Sequence, residues 1–313
     1  MKAIILEQAG AIDNLQMKEI DKPTPKENEV LVEVKAISLN PVDYKVRAND
    51  MILSMICGEE RPVILGWDIA GVVVGVGENA TKFKEGDKVF GMVNFLGTGN
   101  AYAEFVASPE NHLALMPKNI SFEEAAAATL AALTAYQAMK SKIKKGDKVF
   151  VHAGSGGVGH YAIQLAKHWG AHVTATSSGK NKEFVLSLGA DEHIDYREQA
   201  FEEVASGMDY VLDTLGGDII GKSVKIMNND SHLVSIAARD FDEEVQREAN
   251  AKNAELSTLM VLSNGEDMEE LSKLLESGAV KSHVSNTFQF DEIGEGHLAL
   301  ESGRTVGKIV VTI

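Results

Sequence analysis

The chain has 313 residues, 44% of them hydrophobic and 24% charged, which is enough to fold as two domains around sizeable cores. Thirty Lys and Arg against 46 Asp and Glu give a formal net charge of −16, which opposes binding to nucleic acid or to anionic membrane surfaces. The only cysteine, Cys57, excludes an internal disulfide and a multi-cysteine zinc site and is typical of a reducing compartment, so we expect the cytoplasm. No apolar run reaches the ~18 residues of a membrane span.

The first part of the chain is predicted to be mostly β. Short β-type runs bounded by Gly, Pro and Asx residues predict strands over 3–6, 30–34, 71–76, 88–93 and 102–106. The pattern then changes at Ser121, because Glu124 three residues later completes a capping box and predicts a helix through Met139. This helix is expected to open a second domain.

The second part alternates strands with helices. Strands are predicted over 148–152, 172–176, 210–213 and 234–237 and near Glu192, and helices over 156–169 and 182–188. This alternation is typical of a parallel sheet wound by helices, so the fold class is α/β with a mostly β domain beside a doubly wound domain. A further helix over 268–277 and a last strand over 308–313 can return the chain to the first domain.

The strongest chemical motif is a glycine-rich turn, Gly154-Ser155-Gly156-Gly157-Val158-Gly159, which matches G-x-G-x-x-G in full. It follows a predicted strand and opens a predicted helix, which is the context that the dinucleotide-binding motif requires. The glycines allow a tight turn and a close backbone approach, and the helix amides point at the pyrophosphate. The motif therefore predicts a dinucleotide site.

The end of the second strand of this domain indicates which dinucleotide is bound. An NAD site places an acidic residue about 20 positions after the glycines, where it accepts a hydrogen bond from the ribose 2′-hydroxyl. Here that position falls near Thr174 to Thr176, and the residues that follow are Ser177, Ser178, Lys180 and Lys182. Hydroxyl and ammonium groups suit a 2′-phosphate, so NADPH is the expected cofactor, although an ordinary solvated loop would contain the same residues.

Six motifs, taken together and in order, resemble the medium-chain dehydrogenase/reductase superfamily, in its zinc-free quinone oxidoreductase and enone (2-alkenal) reductase branch. They are Asn40-Pro41-Val42-Asp43-Tyr44-Lys45, Gly66-Trp67-Asp68-Ile69-Ala70-Gly71, Glu85-Gly86-Asp87-Lys88-Val89-Phe90-Gly91, Ala132-Leu133-Thr134-Ala135, the glycine turn from Ala153, and Gly303-Arg304-Thr305-Val306-Gly307-Lys308. The resemblance covers nearly the whole chain.

This resemblance implies a GroES-like catalytic domain built from both chain ends, 1–120 and 270–313, with a Rossmann domain, 121–269, inserted between them. It also implies an active cleft at the junction and a homodimer.

The departures from zinc-dependent members bear on the chemistry. Those enzymes carry a cysteine where Asn40 stands, a Gly-His-Glu run where Gly66-Trp67-Asp68 stands, and in many cases a lobe with four cysteines. A catalytic zinc takes three protein ligands of the Cys, His or carboxylate kind. None of the nine histidines forms a metal motif with its neighbours. No metal is therefore expected, and a zinc alcohol dehydrogenase is the disfavoured alternative.

Without zinc, the chemistry that the resemblance implies is hydride transfer to a quinone or to an α,β-unsaturated aldehyde or ketone. Hydride adds to the β-carbon while negative charge moves to the carbonyl oxygen, so the protein must supply position and a hydrogen-bond donor. The candidate catalytic residues are Asn40, Asp43, Tyr44 and Lys45, and the proton can come from water or from Tyr44. Each also has an ordinary reading, since Asn40 suits a turn, Asp43 suits a helix N-cap and Lys45 suits solvent. Loops 51–61 and 95–100 are expected to shape the acceptor pocket.

For the cofactor, the resemblance assigns Thr134 to the nicotinamide end and the Ser155-Gly156-Gly157-Val158 turn to the pyrophosphate. It assigns Ser177, Ser178, Lys180, Lys182 and Tyr196 to the 2′-phosphate side. Leu215, Ile236 and Ala237 follow predicted strands, at the sheet edge where ligands bind, and Arg304 would reach the cofactor from the returning segment. A non-catalytic NADPH-binding protein, like some zeta-crystallin relatives, is the alternative from another class.

Overall fold

The computed structural model describes residues 1–313, which divide into two compact units. The terminal unit combines Met1–Leu133 with Val261–Ile313, and the central unit is Thr134–Met260. The predicted combination of a mostly β unit from both ends of the chain and an inserted α/β unit is confirmed. None of the helices has both the length and the apolar character needed to cross a membrane.

The terminal unit is built on two β-sheets. Its strands are β1 (Lys2–Leu6), β2 (Leu15–Glu19), β3 (Glu29–Leu39), β4 (Val63–Ile64), β5 (Asp68–Val76), β6 (Lys88–Met92), β7 (Phe105–Pro109), β8 (Leu113–Leu115), β15 (Val284–Gln289) and β16 (Lys308–Thr312). One sheet has the order β2-β1-β4, and the other has the order β15-β16-β3-β5-β6-β8 with β7 also paired to β3. Its helices are α1 (Pro41–Ala48), α2 (Asp50–Cys57), α3 (Phe122–Ala127), α10 (Gly265–Glu276) and α11 (Ile293–Glu301), together with the first residues of α4 (Leu130–Met139).

The last strand returns to the terminal unit, as predicted. Strand β16 pairs antiparallel with β3, so that Ile309 lies opposite Leu39 and Thr312 opposite Ala36. The side chains of β16 are buried from Lys308 through Val311, including the single charged one. Lys308 is thereby placed directly beside Asn40, the residue that precedes α1.

The central unit is a parallel sheet covered by helices. Its strands are β9 (Lys148–Val151), β10 (His172–Ser177), β11 (Glu192–Asp195), β12 (Met208–Asp213), β13 (Met227–Ser235) and β14 (Glu255–Thr258), and its helices after α4 are α5 (Gly159–His168), α6 (Lys182–Ser187), α7 (Phe201–Val204), α8 (Ile219–Ile226) and α9 (Glu243–Ala251). The strand order is β11-β10-β9-β12-β13-β14, and every pairing is parallel. The order in which strands are added to the sheet reverses between β9 and β12, because β10 and β11 lie on one side of β9 and β12 to β14 lie on the other. Doubly wound folds bind their ligands at such a switch point.

The helix predicted from Ser121 through Met139 is in fact two helices. Helix α3 ends at Ala127, the Thr129 hydroxyl donates to the carbonyl of Ala126, and the backbone N–H of Leu130 donates to the Asp68 carboxylate. A side chain from β5 therefore satisfies a backbone donor at the start of α4 and separates it from α3.

The boundaries between the units also differ from the predicted ones. We expected the nucleotide-binding domain to span 121–269, whereas 121–133 and 261–269 belong to the terminal unit. The reason lies in packing, because Ala125, Ala126 and Ala127 of α3 are fully buried and α3 contacts β3 and β5. Ser272 of α10 likewise donates to the carbonyl of Leu115 at the end of β8.

Two predicted strands are displaced along the chain. The strand expected over 102–106 is β7, Phe105–Pro109, because Tyr102 turns inward and its backbone pairs with Leu65 and Ile4 instead. The strand expected over 234–237 is β13, which ends at Ser235. In both segments local β propensity located the strand, but its bounds depend on pairing partners that are distant in sequence.

Candidate active site and cofactor site

The side chain of Asn40 lies at the centre of a buried polar cluster in the terminal unit. Its Nδ2 donates to Oδ2 of Asp68 over 2.7 Å and to the carbonyl of Ser38 over 3.4 Å. Its Oδ1 accepts from Nζ of Lys308 over 2.6 Å, and the same ammonium donates to the carbonyl of Leu39 over 2.9 Å. We call Asn40, Asp43, Asp68 and Lys308 the buried polar cluster.

Burial and charge shift the pKa of every ionisable member of this cluster. Burial raises the pKa of the Asp43 carboxyl to about 8, while the hydrogen bond from the Asn40 backbone opposes the shift. Burial likewise raises the pKa of Asp68 and lowers that of Lys308, and the attraction between the two counteracts both shifts. The cluster thus holds two carboxyls and one ammonium away from water, with a bound proton on Asp43 at neutral pH.

Asp43 connects the cluster to α1. The backbone N–H of Asn40 donates to Oδ2 of Asp43 over 2.5 Å, which satisfies a backbone group at the helix start. Asp43 occupies the third helical position, and Asn40 is the N-cap residue, so the alternative that Asp43 is itself the N-cap is wrong. Because both residues act on the N-terminus of α1, the cluster fixes where this helix begins.

A second buried pair lies beside Asp43. The Tyr102 hydroxyl is 3.0 Å from Nε2 of His297 on α11, and both side chains are buried. Burial lowers the pKa of His297 to about 3 and raises that of Tyr102 well above its usual value. The imidazole is therefore neutral at physiological pH, and this pair ties α11 to the segment before β7.

The four predicted catalytic residues separate into an inner and an outer pair. Asn40 and Asp43 are almost fully inaccessible, and every hydrogen-bonding atom of the Asn40 side chain has a partner within the terminal unit. Tyr44 is half-buried and Lys45 is exposed on the same helix. The geometry therefore makes Tyr44 and Lys45 the accessible groups, held in place by a helix that Asn40 and Asp43 anchor.

The central unit forms the predicted glycine turn. The N–H of Gly154 donates to the carbonyl of Thr176 over 2.7 Å, so that the turn is joined to the end of β10. A Cβ atom on Gly159 would lie only 2.2 Å from the carbonyl oxygen of Ala153, which only glycine avoids. The turn leads into α5, with Ser155, Gly156, Gly157 and Val158 all partly accessible before the first helical turn.

The loop after β10 lies against this turn. Nδ2 of Asn181 donates to Oγ of Ser155 over 3.0 Å, and Oγ of Ser177 is 2.8 Å from Nε2 of His193 on β11. The residues predicted to bind the 2′-phosphate are a mixture of buried hydroxyls and exposed groups: Ser177 and Ser178 are buried, and Lys180, Lys182 and Tyr196 are exposed. Buried hydroxyls and exposed lysines thus follow one another where the chain leaves β10.

Asp213 organises the neighbouring edge of the sheet. It ends β12, and its carboxylate accepts from the backbone N–H groups of Leu215 and Gly216 and from the Ser235 hydroxyl. The same hydroxyl accepts from the N–H of Ala237 over 3.2 Å, and the N–H of Ile236 donates to the carbonyl of Asp213 over 3.0 Å. The predicted cofactor residues Leu215, Ile236 and Ala237 are thereby held in the two linked loops that follow β12 and β13.

The two remaining predicted cofactor residues belong to different units. Thr134 is the first residue of the central unit, lies on α4 and is buried. Arg304 is exposed on the turn between α11 and β16 in the terminal unit, where its backbone N–H donates to the Ser302 hydroxyl.

Several residues of these sites were not predicted from the sequence. They are Asp68, Tyr102, His297 and Lys308 in the terminal unit and His193, Asp213 and Ser235 in the central unit. Asp68 and Lys308 are charged residues next to runs of apolar residues, Asp68 shortly before a predicted strand and Lys308 at the start of another, which is the pattern that could have singled them out.

The chain matches two protein-family models. Residues 26–118 match the alcohol dehydrogenase GroES-like domain, and residues 188–311 match the zinc-binding dehydrogenase family. A GroES-like β unit joined to a parallel nucleotide-binding sheet defines the class of two-domain dehydrogenases and reductases.

Individual relatives narrow this class. The chain is 37% identical to a 2-methylene-furan-3-one reductase of Solanum lycopersicum, with 99% of this chain and 79% of the relative covered. It is 35% identical to an NADPH-dependent alkenal/one oxidoreductase, chloroplastic, of Arabidopsis thaliana, with the same coverage of 99% and 79%. The solved quinone oxidoreductase of Coxiella burnetii superposes with a TM-score of 0.92 at 34% identity, covering 100% of this chain and 99% of that one. The chain belongs to the medium-chain dehydrogenase/reductase superfamily, among its quinone and alkenal/one oxidoreductases.

The zinc in one of these family descriptions does not fit the residues present. No group of three His, Cys, Asp or Glu side chains is arranged to hold a metal ion. Asn40 directs both its amide and its carbonyl into the buried polar cluster, and Nε1 of the buried Trp67 donates to the carbonyl of Gly97 over 2.8 Å. Neither side chain is a zinc ligand, and the buried cation among these groups is Lys308.

Proposed function

We propose that this protein is a zinc-independent, NADPH-dependent oxidoreductase that transfers hydride to quinones or to α,β-unsaturated aldehydes and ketones. The observation that carries the proposal is the segment from the end of β10 onward, where Ser177, Ser178, Lys180 and Lys182 follow closely in the chain and Asn181 between them donates to Ser155 of the glycine turn over 3.0 Å. A 2′-phosphate needs such donors and positive charge. The names of the relatives in tomato and Arabidopsis support the choice of acceptor.

The terminal unit supplies the groups for polarising the acceptor. NADPH, when bound, supplies the hydride, and the carbonyl oxygen of the acceptor then gains negative charge. Lys45 is exposed on α1 and can donate to that oxygen, while the half-buried Tyr44 beside it can donate a hydrogen bond or a proton. A proton delivered to the adjacent carbon completes the reduction, and water is its other source. Asn40 and Asp43 act as positioning residues, because they fix the N-terminus of the helix that carries both donors.

Zinc independence follows from the donor set in this proposal. The groups around Asn40 already satisfy one another, and removing Lys308 or Asp68 from these contacts to admit a metal would leave a buried charge unpaired. Metal analysis of the purified protein should find less than one zinc per ten chains, and activity should survive dialysis against a chelator. Stoichiometric zinc that is needed for turnover would contradict this part of the proposal.

We also propose that the protein is a homodimer and that it acts in the cytoplasm. The family resemblance supports the dimer, and a single cysteine in 313 residues supports a reducing compartment. Light scattering should give twice the chain mass of 33.7 kDa, and a mass equal to that of one chain would contradict the dimer.

Turnover with three acceptors tests the reaction. The purified protein is mixed with NADPH or NADH and a quinone, a short 2-alkenal or the saturated aldehyde of the same length, and the loss of nicotinamide absorbance is followed. We expect oxidation of NADPH with a conjugated acceptor and none with the saturated aldehyde. NADPH binding without oxidation by any conjugated acceptor would instead support a non-catalytic NADPH-binding protein.

A further inference from the structure

His193 lies next to the group of hydroxyls that the proposed function assigns to the 2′-phosphate. It is on the edge strand β11, opposite Ala175 of β10, and its side chain is half-buried. Its Nε2 is 2.8 Å from Oγ of Ser177, and the same hydroxyl is 3.1 Å from the carbonyl of Ser178. Ser177 itself is buried, so the imidazole is the only titratable side chain in contact with this hydroxyl.

The imidazole is surrounded by charges of both signs. Burial lowers its pKa, Asp195 at the end of the same strand raises it, and Lys182 at the start of α6 lowers it. Further charged side chains occupy the elements and turns around β11: Lys180, Glu183, Asp191, Glu192, Arg197 and Glu198, of which Asp191 is paired with Lys167. Without a bound anion, the imidazole is therefore mostly neutral near pH 7.

We propose that His193 is a specificity-determining residue that makes the preference for NADPH over NADH depend on pH. This inference rests on the proposed function, because it concerns the same phosphate-binding corner. His193 acts in two ways, through the hydrogen bond to Ser177 and through its charge.

The hydrogen bond links the protonation of His193 to the role of Ser177. A protonated imidazole has N–H groups on both nitrogens, so Nε2 must donate to Oγ of Ser177, and the hydroxyl proton, which points to the carbonyl of Ser178, can turn to a phosphate oxygen. In the neutral form, Nε2 can instead accept that proton, which leaves the hydroxyl with only lone pairs for an anion. The structure therefore couples proton uptake by the imidazole to a better donor at Ser177.

The charge acts in the same direction. A 2′-phosphate carries between one and two negative charges near pH 7, and an imidazolium beside Ser177 would attract it. Linkage then requires that NADPH binding raise the pKa of His193 and take up a proton, whereas NADH, which lacks the phosphate, leaves it unchanged. A partly exposed ion pair of this kind is worth about three- to fivefold in affinity.

The test is the affinity for NADPH and for NADH, measured by nucleotide fluorescence at intervals between pH 6 and pH 8.5. The proteins are the wild type, His193→Gln and His172→Gln, whose exposed imidazole lies at the opposite end of β10. The wild type and His172→Gln should lose about three- to fivefold of their preference for NADPH over this range. His193→Gln should show only the smaller pH dependence of the phosphate itself, which all three proteins share.

A second variant and a second readout guard against a folding defect. If His193→Gln fails to fold, His193→Asn takes its place. Independently of any variant, calorimetry of the wild type in two buffers of different ionisation enthalpy measures the proton uptake that accompanies nucleotide binding. We expect uptake with NADPH and none with NADH at pH 7.5.

Equal pH dependence in wild type and His193→Gln, or equal proton uptake with both nucleotides, would overturn the inference and leave the proposed function intact. Absence of any preference for NADPH at every pH would overturn the proposed cofactor together with this inference.

Discussion

Nζ of Lys308 lies 2.6 Å from Oδ1 of Asn40, although the two residues are 268 positions apart in the chain. One is the first residue of β16 and the other immediately precedes α1, so the contact joins the two separate segments of the terminal unit. The same ammonium is attracted to the two buried carboxyls, Asp68 and Asp43. The position of α1, and of the donors that it carries, depends on this contact.

Replacing Lys308 by Met should destabilise the protein by about 3–5 kcal/mol, because Asp68 would be left buried without its cation. Denaturant unfolding monitored by tryptophan fluorescence measures the change. The control is Lys35→Met, which removes a partly exposed lysine paired with Glu33 and should cost no more than about 1 kcal/mol. Equal effects of the two substitutions would show that the ammonium of Lys308 has no special role.

Asp43 makes the stability of the protein depend on pH. Its pKa is raised to about 8 in the folded protein from 3.8, so between these values the folded chain holds a proton that the unfolded chain has released. Stability from this group is therefore greatest below pH 3.8 and falls as the pH rises toward 8, by up to about 1.4 kcal/mol per pH unit.

The Asp43→Asn variant tests this relation, because it keeps an oxygen for the Asn40 backbone N–H and cannot titrate. Its free energy of unfolding should change less between pH 5 and pH 7.5 than that of the wild type, with the variant gaining relative stability at the higher pH. Parallel pH profiles for the two proteins would contradict a buried proton on Asp43.

Gly159→Ala should abolish NADPH binding or weaken it at least tenfold. The added Cβ would lie 2.2 Å from the carbonyl oxygen of Ala153, so the turn must open and its amides must move away from the pyrophosphate. Gly221→Ala in α8 is the matched control, since the nearest atom to its Cβ would be Cγ2 of Val245 at 3.3 Å, and binding should be unchanged. Fluorescence titration compares them, and tight binding by Gly159→Ala would show that the turn does not contact the cofactor.

Lys45→Met should lower kcat/KM for a 2-alkenal by about 10²-fold or more, since it removes a donor to the oxygen that gains charge. The substitution is exposed and should leave thermal unfolding unchanged. Lys45→Arg keeps a cationic donor and should recover part of the activity, while Tyr44→Phe reports separately whether the phenol donates the proton. Full activity in Lys45→Met would exclude this residue from the reaction.

Local patterns account for much of the fold and for the outline of the cofactor site. The glycine turn, the strand before it and the helix after it all follow from short-range signals, and Ser177 ends the strand that comes next in the chain. Helix α1 was not predicted, because Asn40-Pro41 read equally well as a turn.

The buried polar cluster lies beyond such reasoning. Asp68 separates α3 from α4 by accepting from Leu130, 62 positions away, and Lys308 meets Asn40 only once β16 pairs with β3. These contacts depend on strand register across the whole terminal unit, which no window of sequence contains. For the same reason the sequence could not show that the side chains of Asn40 and Asp43 are buried in this cluster.

The pairing of β16 with β3 also affects the order in which the terminal unit can fold during synthesis on the ribosome. The central unit, Thr134–Met260, is complete in the nascent chain while the partner strand of β3 has yet to be translated. Until Lys308 has been translated, residues 1–133 therefore have the β16 edge of β3 unpaired and Asp68 without its cation. Pairing of β3 along this edge is therefore possible only after residues 308–312 have been translated.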